Sequence, residues 1–178
     1  MENSDRILVR PSAEWAEKIY EYREECLAAD GRMDGTGSLR AEADPYRYIE
    51  ACRREEHRET VRRGMVPATQ FLYINPKSRE LIGMVSVRHE LNDALRMLGG
   101  HIGYSIRPSM RGKGEAVTML GLALEFCRKA LGLPSVMVSC HAENAASEHT
   151  ILSCGGVRVR DSMDPENGLP VHIFEIRL

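Results

Sequence analysis

Apolar and polar positions change period several times along the 178-residue chain, and each change predicts an element. "RILVR" (6–10) reads as a short strand, and Pro11 and Ser12 open a helix that runs to about Ala29. "DGRMDGTGS" (30–38) breaks that helix and predicts a loop. Asp44 and Pro45 form an N-cap and N1 pair, so a second helix starts there and extends to about Arg63. Its body, "YRYIEACRREEHRETVRR", is so charged that it reads as a solvated outer face.

After Pro67 the pattern turns to strands. "TQFLYIN" (69–75) and "ELIGMVSVRHE" (80–90) are rich in β-formers and flank a hairpin turn at "NPKS". A longer connection, 91–100, ends in Gly99 and Gly100, and "HIGYSI" (101–106) is a third strand. From Ala116 the period becomes helical: Val117, Leu120, Leu124, Cys127 and Leu131 make an apolar stripe that Gly132 and Pro134 stop. "SVMVSC" (135–140) is another strand, and Asn144 opens a short helix that Gly155 and Gly156 end. "VRVRDS" and "VHIFEIRL" form a final hairpin. Strands and helices alternate only in the second half. The prediction is therefore an α/β protein of α+β type with a mixed, mostly antiparallel sheet, not a doubly wound parallel one.

Length and the lack of repeats or low-complexity tracts predict one domain over 1–178. A formal charge of −2 gives no electrostatic case for nucleic acid or a membrane surface. No segment approaches the ~20 apolar residues of a membrane span, and "MENSDRILVR" lacks the apolar core of a signal peptide. Cys26, Cys52, Cys127, Cys140 and Cys154 are odd in number and lack C-x-x-C spacing. They predict reduced thiols in a cytoplasm and no metal site.

The stretch "SIRPSMRGKGEA" (105–116) ends a strand and begins the striped helix. Cations and glycines at that place fit an anion-binding loop: a helix start presents unpaired N–H donors, and glycine admits close approach and positive φ. A tight solvated turn is the bland alternative. A phosphate-binding P-loop fails, because Lys113 lies between the glycines and no Ser or Thr follows. A dinucleotide fingerprint fails at its third glycine, which is Val117.

"RGKGEA" has the form [RQ]-x-x-G-x-[GA], and here the sequence resembles the GNAT-type N-acetyltransferase superfamily. "NAASEHTILSCGG" extends the resemblance, with Asn144, Ser147 and Gly155 at matching places of the family's Asn-helix. The match covers about 69–178, a coenzyme A-binding core, and is looser over 1–68, the variable substrate-facing half. "GGHIGYSIRPSMRGKG" with "VRHELN" is similar to a bacterial subgroup of predicted acetyltransferases.

The resemblance implies an acyl-CoA N-acyltransferase fold with acetyl-CoA held where two parallel strands, 101–106 and 135–140, splay apart. It implies that the pantetheine amides pair with the backbone of Tyr104, Ser105 and Ile106. The pyrophosphate takes N–H bonds from Arg111, Gly112, Lys113, Gly114, Glu115 and Ala116. Asn144 and Ser147 face the cofactor from the other arm; a helix N-cap and a first-turn polar residue are their plainer roles. The implied activity is transfer of acetyl to a primary amine of a small molecule or peptide by direct attack, through a tetrahedral intermediate. The alternative is a non-catalytic acyl-CoA-binding or sensor module.

Partners are then acetyl-CoA and the amine, and a homodimer is compatible. Many members carry a tyrosine acid seven residues after the Asn, where this chain has Ile151. The acidic base position of histone-type members falls on Gly100, beside His101. His101 is therefore the first base candidate, with Glu90 and His89 next; Tyr104 either faces the cofactor or packs. His141 and His149 read as solvated. "DGTGS" (34–38) and the 91–100 connection border the acceptor pocket in this reading.

Overall fold

The structure, a computed structural model, describes residues 5–178. Its first sheet is antiparallel and follows chain order: β1 (Ile7–Val9), β2 (Ala68–Asn75), β3 (Glu80–Arg88) and β4 (Ile102–Ile106). In the second, β7 (Pro170–Arg177) lies between β5 (Ser135–His141) and β6 (Val157–Met163).

Both faces of the first sheet are covered. Leu72, Ile74, Leu81 and Met84 pack beneath α1 (Ala16–Ala29) and α2 (Pro45–Glu55). Their neighbours Phe71, Tyr73, Ile82 and Val85 join the core under α3 (Glu115–Lys129) and α4 (Ala145–Ser153). Successive strand residues point to opposite faces, so burial on both sides makes "FLYI" continuously apolar. Each large side chain fully withdrawn from water contributes ~1.5–3 kcal/mol.

The two sheets share one core, and β4 and β5 are hydrogen-bonded where they meet at His101 and Met137. The His101 N–H donates to the Met137 carbonyl at 2.7 Å, and the Met137 N–H donates to His101 Nδ1 at 2.9 Å. Gly100 makes that approach possible: its φ is +65°, and a Cβ there would lie 2.4 Å from the Met137 oxygen. Beyond the junction β4 and β5 part. Ile102 to Ile106 and Ser139 to His141 then line one cleft, so the strands run the same way from it. This is the splayed pair of the expected fold.

Several expected boundaries move. The second helix ends at Glu55 rather than near Arg63, and 56–63 continues as turns. The strand expected over 80–90 stops at Arg88, and the 91–100 connection contains a π-helical turn, Leu95–Gly99. The face of α3 that is fully buried is Met119, Leu120, Ala123 and Cys127; Val117, Leu124 and Leu131 are half-buried at its margin. The apolar stripe is wider than the spacing chosen to describe it, and the sheet takes its centre.

Candidate active site

A cavity of about 610 Å³ fills the cleft between β4 and β5. It extends from the loop before α3 to Arg88, Leu98 and Gly99 at the far end of β4.

The glycine loop is held from below by α1. Arg107 Nε donates to Glu25 Oε2 at 2.8 Å, the Ser109 N–H donates to Glu25 Oε1 at 2.8 Å, and Arg111 Nη1 meets Asp30 Oδ2 at 2.6 Å. Arg111 also donates from Nε to the Ile106 carbonyl at 3.0 Å, and its own N–H goes to the Pro108 carbonyl at 3.3 Å. Arg111 therefore anchors the loop and has little left to offer an anion. Gly112 and Gly114 have φ of +75° and +77°, and a Cβ at either would meet nothing within 4 Å. Among the described residues, the N–H groups of Gly112, Lys113 and Gly114 have no acceptor. With the first turn of α3 they make an open cradle of donors at the positive end of the helix.

Glu115 and Lys113 depart from the expectation. The Glu115 side chain is buried and turned away: it accepts from Arg6 Nη2 at 2.9 Å and from the Tyr73 hydroxyl at 2.6 Å. Burial alone would raise its pKa, but the bonds from Arg6 and Tyr73 outweigh burial and hold it below the usual carboxylate range. This keeps a negative charge out of the cradle while the Glu115 N–H still faces it. Lys113 does not line the cavity; its Nζ donates to the Ser109 carbonyl at 3.1 Å.

On the opposite arm, Asn144 Oδ1 caps α4 by accepting from the Ser147 N–H at 3.1 Å, and the residue also lines the cavity. The Tyr104 hydroxyl crosses from β4, 2.9 Å from Ser147 Oγ and 3.3 Å from the Ser147 carbonyl. Burial pushes its pKa up to about 12, so the phenol keeps its proton at neutral pH. β4 is the edge strand of its sheet, so no strand pairs its outer side over Tyr104 to Ile106, where the Ile106 carbonyl is taken by Arg111. Ser105 is further fixed by Tyr22, whose hydroxyl donates to the Ser105 carbonyl at 3.0 Å.

Neither base candidate from the sequence lies in the cavity. His101 spends its Nδ1 lone pair on the Met137 N–H, and burial lowers its pKa. Glu90 is exposed and paired with Arg58 outside the cleft. His89 bonds Thr69. What the spacing did not single out is His141 at the end of β5. It lines the cavity with Nε2 3.6 Å from Asp164 Oδ2, while its Nδ1 has no partner among the described residues. Asp164 follows β6, twenty-three residues away in sequence, so only folding reveals the pair. Cys140 also lines the cavity, but burial raises its thiol to about 11, which disfavours a thiolate nucleophile.

The loop 30–38 closes the α1 side. Gly35 has φ +70°, and a Cβ on it would lie 2.0 Å from the Gly103 carbonyl oxygen, so the loop lies directly on β4. Gln70 Nε2 holds it there through the Gly35 carbonyl at 2.9 Å. Asp34 and Gly35 of the 34–38 stretch and Leu98 and Gly99 of the 91–100 connection border the cavity, as does Arg32. Among the described residues no helix is long and apolar enough to cross a membrane, and no cluster of three His, Cys, Asp or Glu side chains could hold a metal.

The split sheet, the edge strand and the donor cradle at a helix start go with a match in sequence comparison. The profile of the acetyltransferase (GNAT) domain matches residues 6–157, so the chain belongs to the GNAT acetyltransferase family, whose members use acetyl-CoA. No curated protein sequence matches the chain.

Solved structures share the fold at low identity. The ribosomal-protein-S5-alanine acetyltransferase of Vibrio fischeri superposes with a TM-score of 0.75 at 16% identity, over 99% of this chain and 95% of that one. The microcin C7 self-immunity acetyltransferase, solved with acetyl-CoA and AMP, gives 0.73 at 17%, over 99% and 94%. Mutant forms of the spermidine/spermine N-acetyltransferase of Vibrio cholerae give 0.65 at 17%, over 97% and 94%.

Proposed function

We propose that the chain is an acetyl-CoA-dependent N-acetyltransferase, acting on a primary amine that enters beneath the 30–38 loop. The observation that carries this is the run of unpaired N–H donors at Gly112 to Gly114, opening onto the free edge of β4. A pyrophosphate suits the donors, and an amide-bearing chain can add to the edge as an extra strand would. Bound acetyl-CoA would supply an activated thioester carbonyl.

The chain's residues divide the proton work. Of the two histidines lining the cavity, His141 and His149, His141 is backed by Asp164 and is the one we assign to take the ammonium proton. Tyr104 is the acid for the departing thiolate, because it keeps its proton at neutral pH and reaches across the cleft to Ser147. Ile151, at the place of the usual tyrosine, is fully buried and cannot serve. Coenzyme A release is followed by thiol detection over a panel of amines. His141→Gln should lower kcat by ~10²-fold or more, leaving acetyl-CoA affinity intact. Failure of acetyl-CoA to bind the parent would end this reading. Binding without turnover of any amine would favour the non-catalytic binding module.

A further inference from the structure

Arg88 ends β3 at the far end of the cleft. Its N–H donates to the His101 carbonyl at 2.8 Å, so it lies beside the start of β4, opposite the glycine loop. Five strand residues separate the two ends, roughly 17 Å. An anion at Arg88 is therefore not the one cradled at Gly112 to Gly114.

The side chain lines the cavity and is only partly paired. Nη1 donates to the Gly100 carbonyl at 2.9 Å and to the Gly99 carbonyl at 3.3 Å. Nε and Nη2 have no partner among the described residues, and Arg88 forms no ion pair there. Burial lowers its pKa with no acidic group to offset it. The other charged groups of this end are committed or distant in role. Asp164 faces His141, and Arg32 shares charge with Asp30 at 3.8 Å. Asp34 borders the same end from the 30–38 loop.

The guanidinium is half-buried with no carboxylate bonded to it, and its unbonded Nε–Nη2 edge is the fork that binds a carboxylate or phosphate through two parallel bonds. Nη1, held by two carbonyls, sets the direction of that fork.

We infer that the acceptor amine carries an oxyanion, a carboxylate or a phosphate, which binds the Nε–Nη2 edge of Arg88. The inference rests on the acetyltransferase reading. It implies that polyamines, which offer only cations to this end, are poor acceptors.

The test uses matched amines that differ in one group: an amino acid against its carboxamide, and a phosphate-bearing amine against its alcohol. With the full chain and acetyl-CoA, the anionic member of at least one pair should show kcat/KM ~10–100-fold higher, mostly through KM. Which pair responds distinguishes carboxylate from phosphate. Arg88→Gln should erase the preference while acetyl-CoA affinity stays unchanged, and Arg88→Lys should restore part of it. Equal rates within both pairs, a better rate with spermidine, or a preference that survives Arg88→Gln would overturn the inference.

A binding arm separates this from the activity reading. The same pairs are titrated calorimetrically into protein saturated with coenzyme A, or into protein alone if coenzyme A does not bind. Binding of an anionic member that Arg88→Gln weakens at least tenfold supports the inference without turnover. No binding of any anionic member at millimolar concentration overturns it, whatever acetyl-CoA does.

Discussion

The Met137 N–H donates to His101 Nδ1 at 2.9 Å, and this side-chain bond stands where a strand ladder would continue if the two sheets were one. Together with the main-chain bond from His101 N–H to the Met137 carbonyl, it marks the point from which β4 and β5 diverge. The imidazole lies outside the cavity lining, and the lone pair a base would need is already used.

His101→Leu should therefore cost ~1–3 kcal/mol, since the Met137 N–H loses its acceptor. His101→Gln supplies a carbonyl oxygen in its place and should keep most of that stability and turnover within several-fold. Denaturant midpoints and initial rates for both variants check this. A folded, stable His101→Gln with turnover reduced ~10²-fold would restore His101 as a base.

Glu115 predicts a pH dependence. Its folded pKa lies below the usual value, so the stability it contributes is fully present above the unfolded pKa of ~4.3 and is lost as pH falls through the lower folded value. The stability of the parent should drop across that acid window, and Glu115→Gln should flatten the drop. At pH 7 the variant should be ~3–5 kcal/mol less stable, because Arg6, with only 13% of its side chain exposed, keeps its charge without a partner. Urea denaturation from pH 3 to 7 measures both.

Gly114 is the N-cap of α3 at φ +77°, with open space where a Cβ would stand. Gly114→Val should weaken acetyl-CoA binding at least tenfold, through backbone strain and intrusion on the cradle, in a chain that still folds. Lys113→Ala should be mild and salt-dependent, since that side chain is exposed and outside the cavity. Calorimetry with acetyl-CoA ranks them; equal affinities for the two variants would remove the cradle.

Tyr104→Phe keeps the packed ring and deletes the hydroxyl that reaches Ser147. It should lower kcat by ~10²-fold and leave acetyl-CoA affinity within a few-fold. Unchanged kcat would make Tyr104 a strut between the arms only.

Gly35→Ala places a Cβ against the Gly103 carbonyl and forces a side chain into φ +70°. The 30–38 loop should lift, raising KM for the amine more than for acetyl-CoA, at a stability cost of ~1–3 kcal/mol. Steady-state kinetics with each substrate varied in turn checks the asymmetry.

The sequence by itself determined what depends on neighbours along the chain. Helix and strand order, the Asp44 and Asn144 caps, the glycine loop before α3 and the positive φ at Gly112 and Gly114 all follow from local rules, and all are found. The family motif lies in one such local stretch, which is why it was legible.

Tertiary structure decided what depends on distant segments meeting. Nothing local says that Glu115 turns inward to Arg6, that His101 is consumed by Met137, or that His141 meets Asp164. Arg88 falls within the 80–90 strand in the sequence; only the fold half-buries it beside two carbonyls with no carboxylate bonded to it. Side-chain charge and tautomer answer to the groups that folding brings within a few ångströms, and those groups come from other parts of the chain.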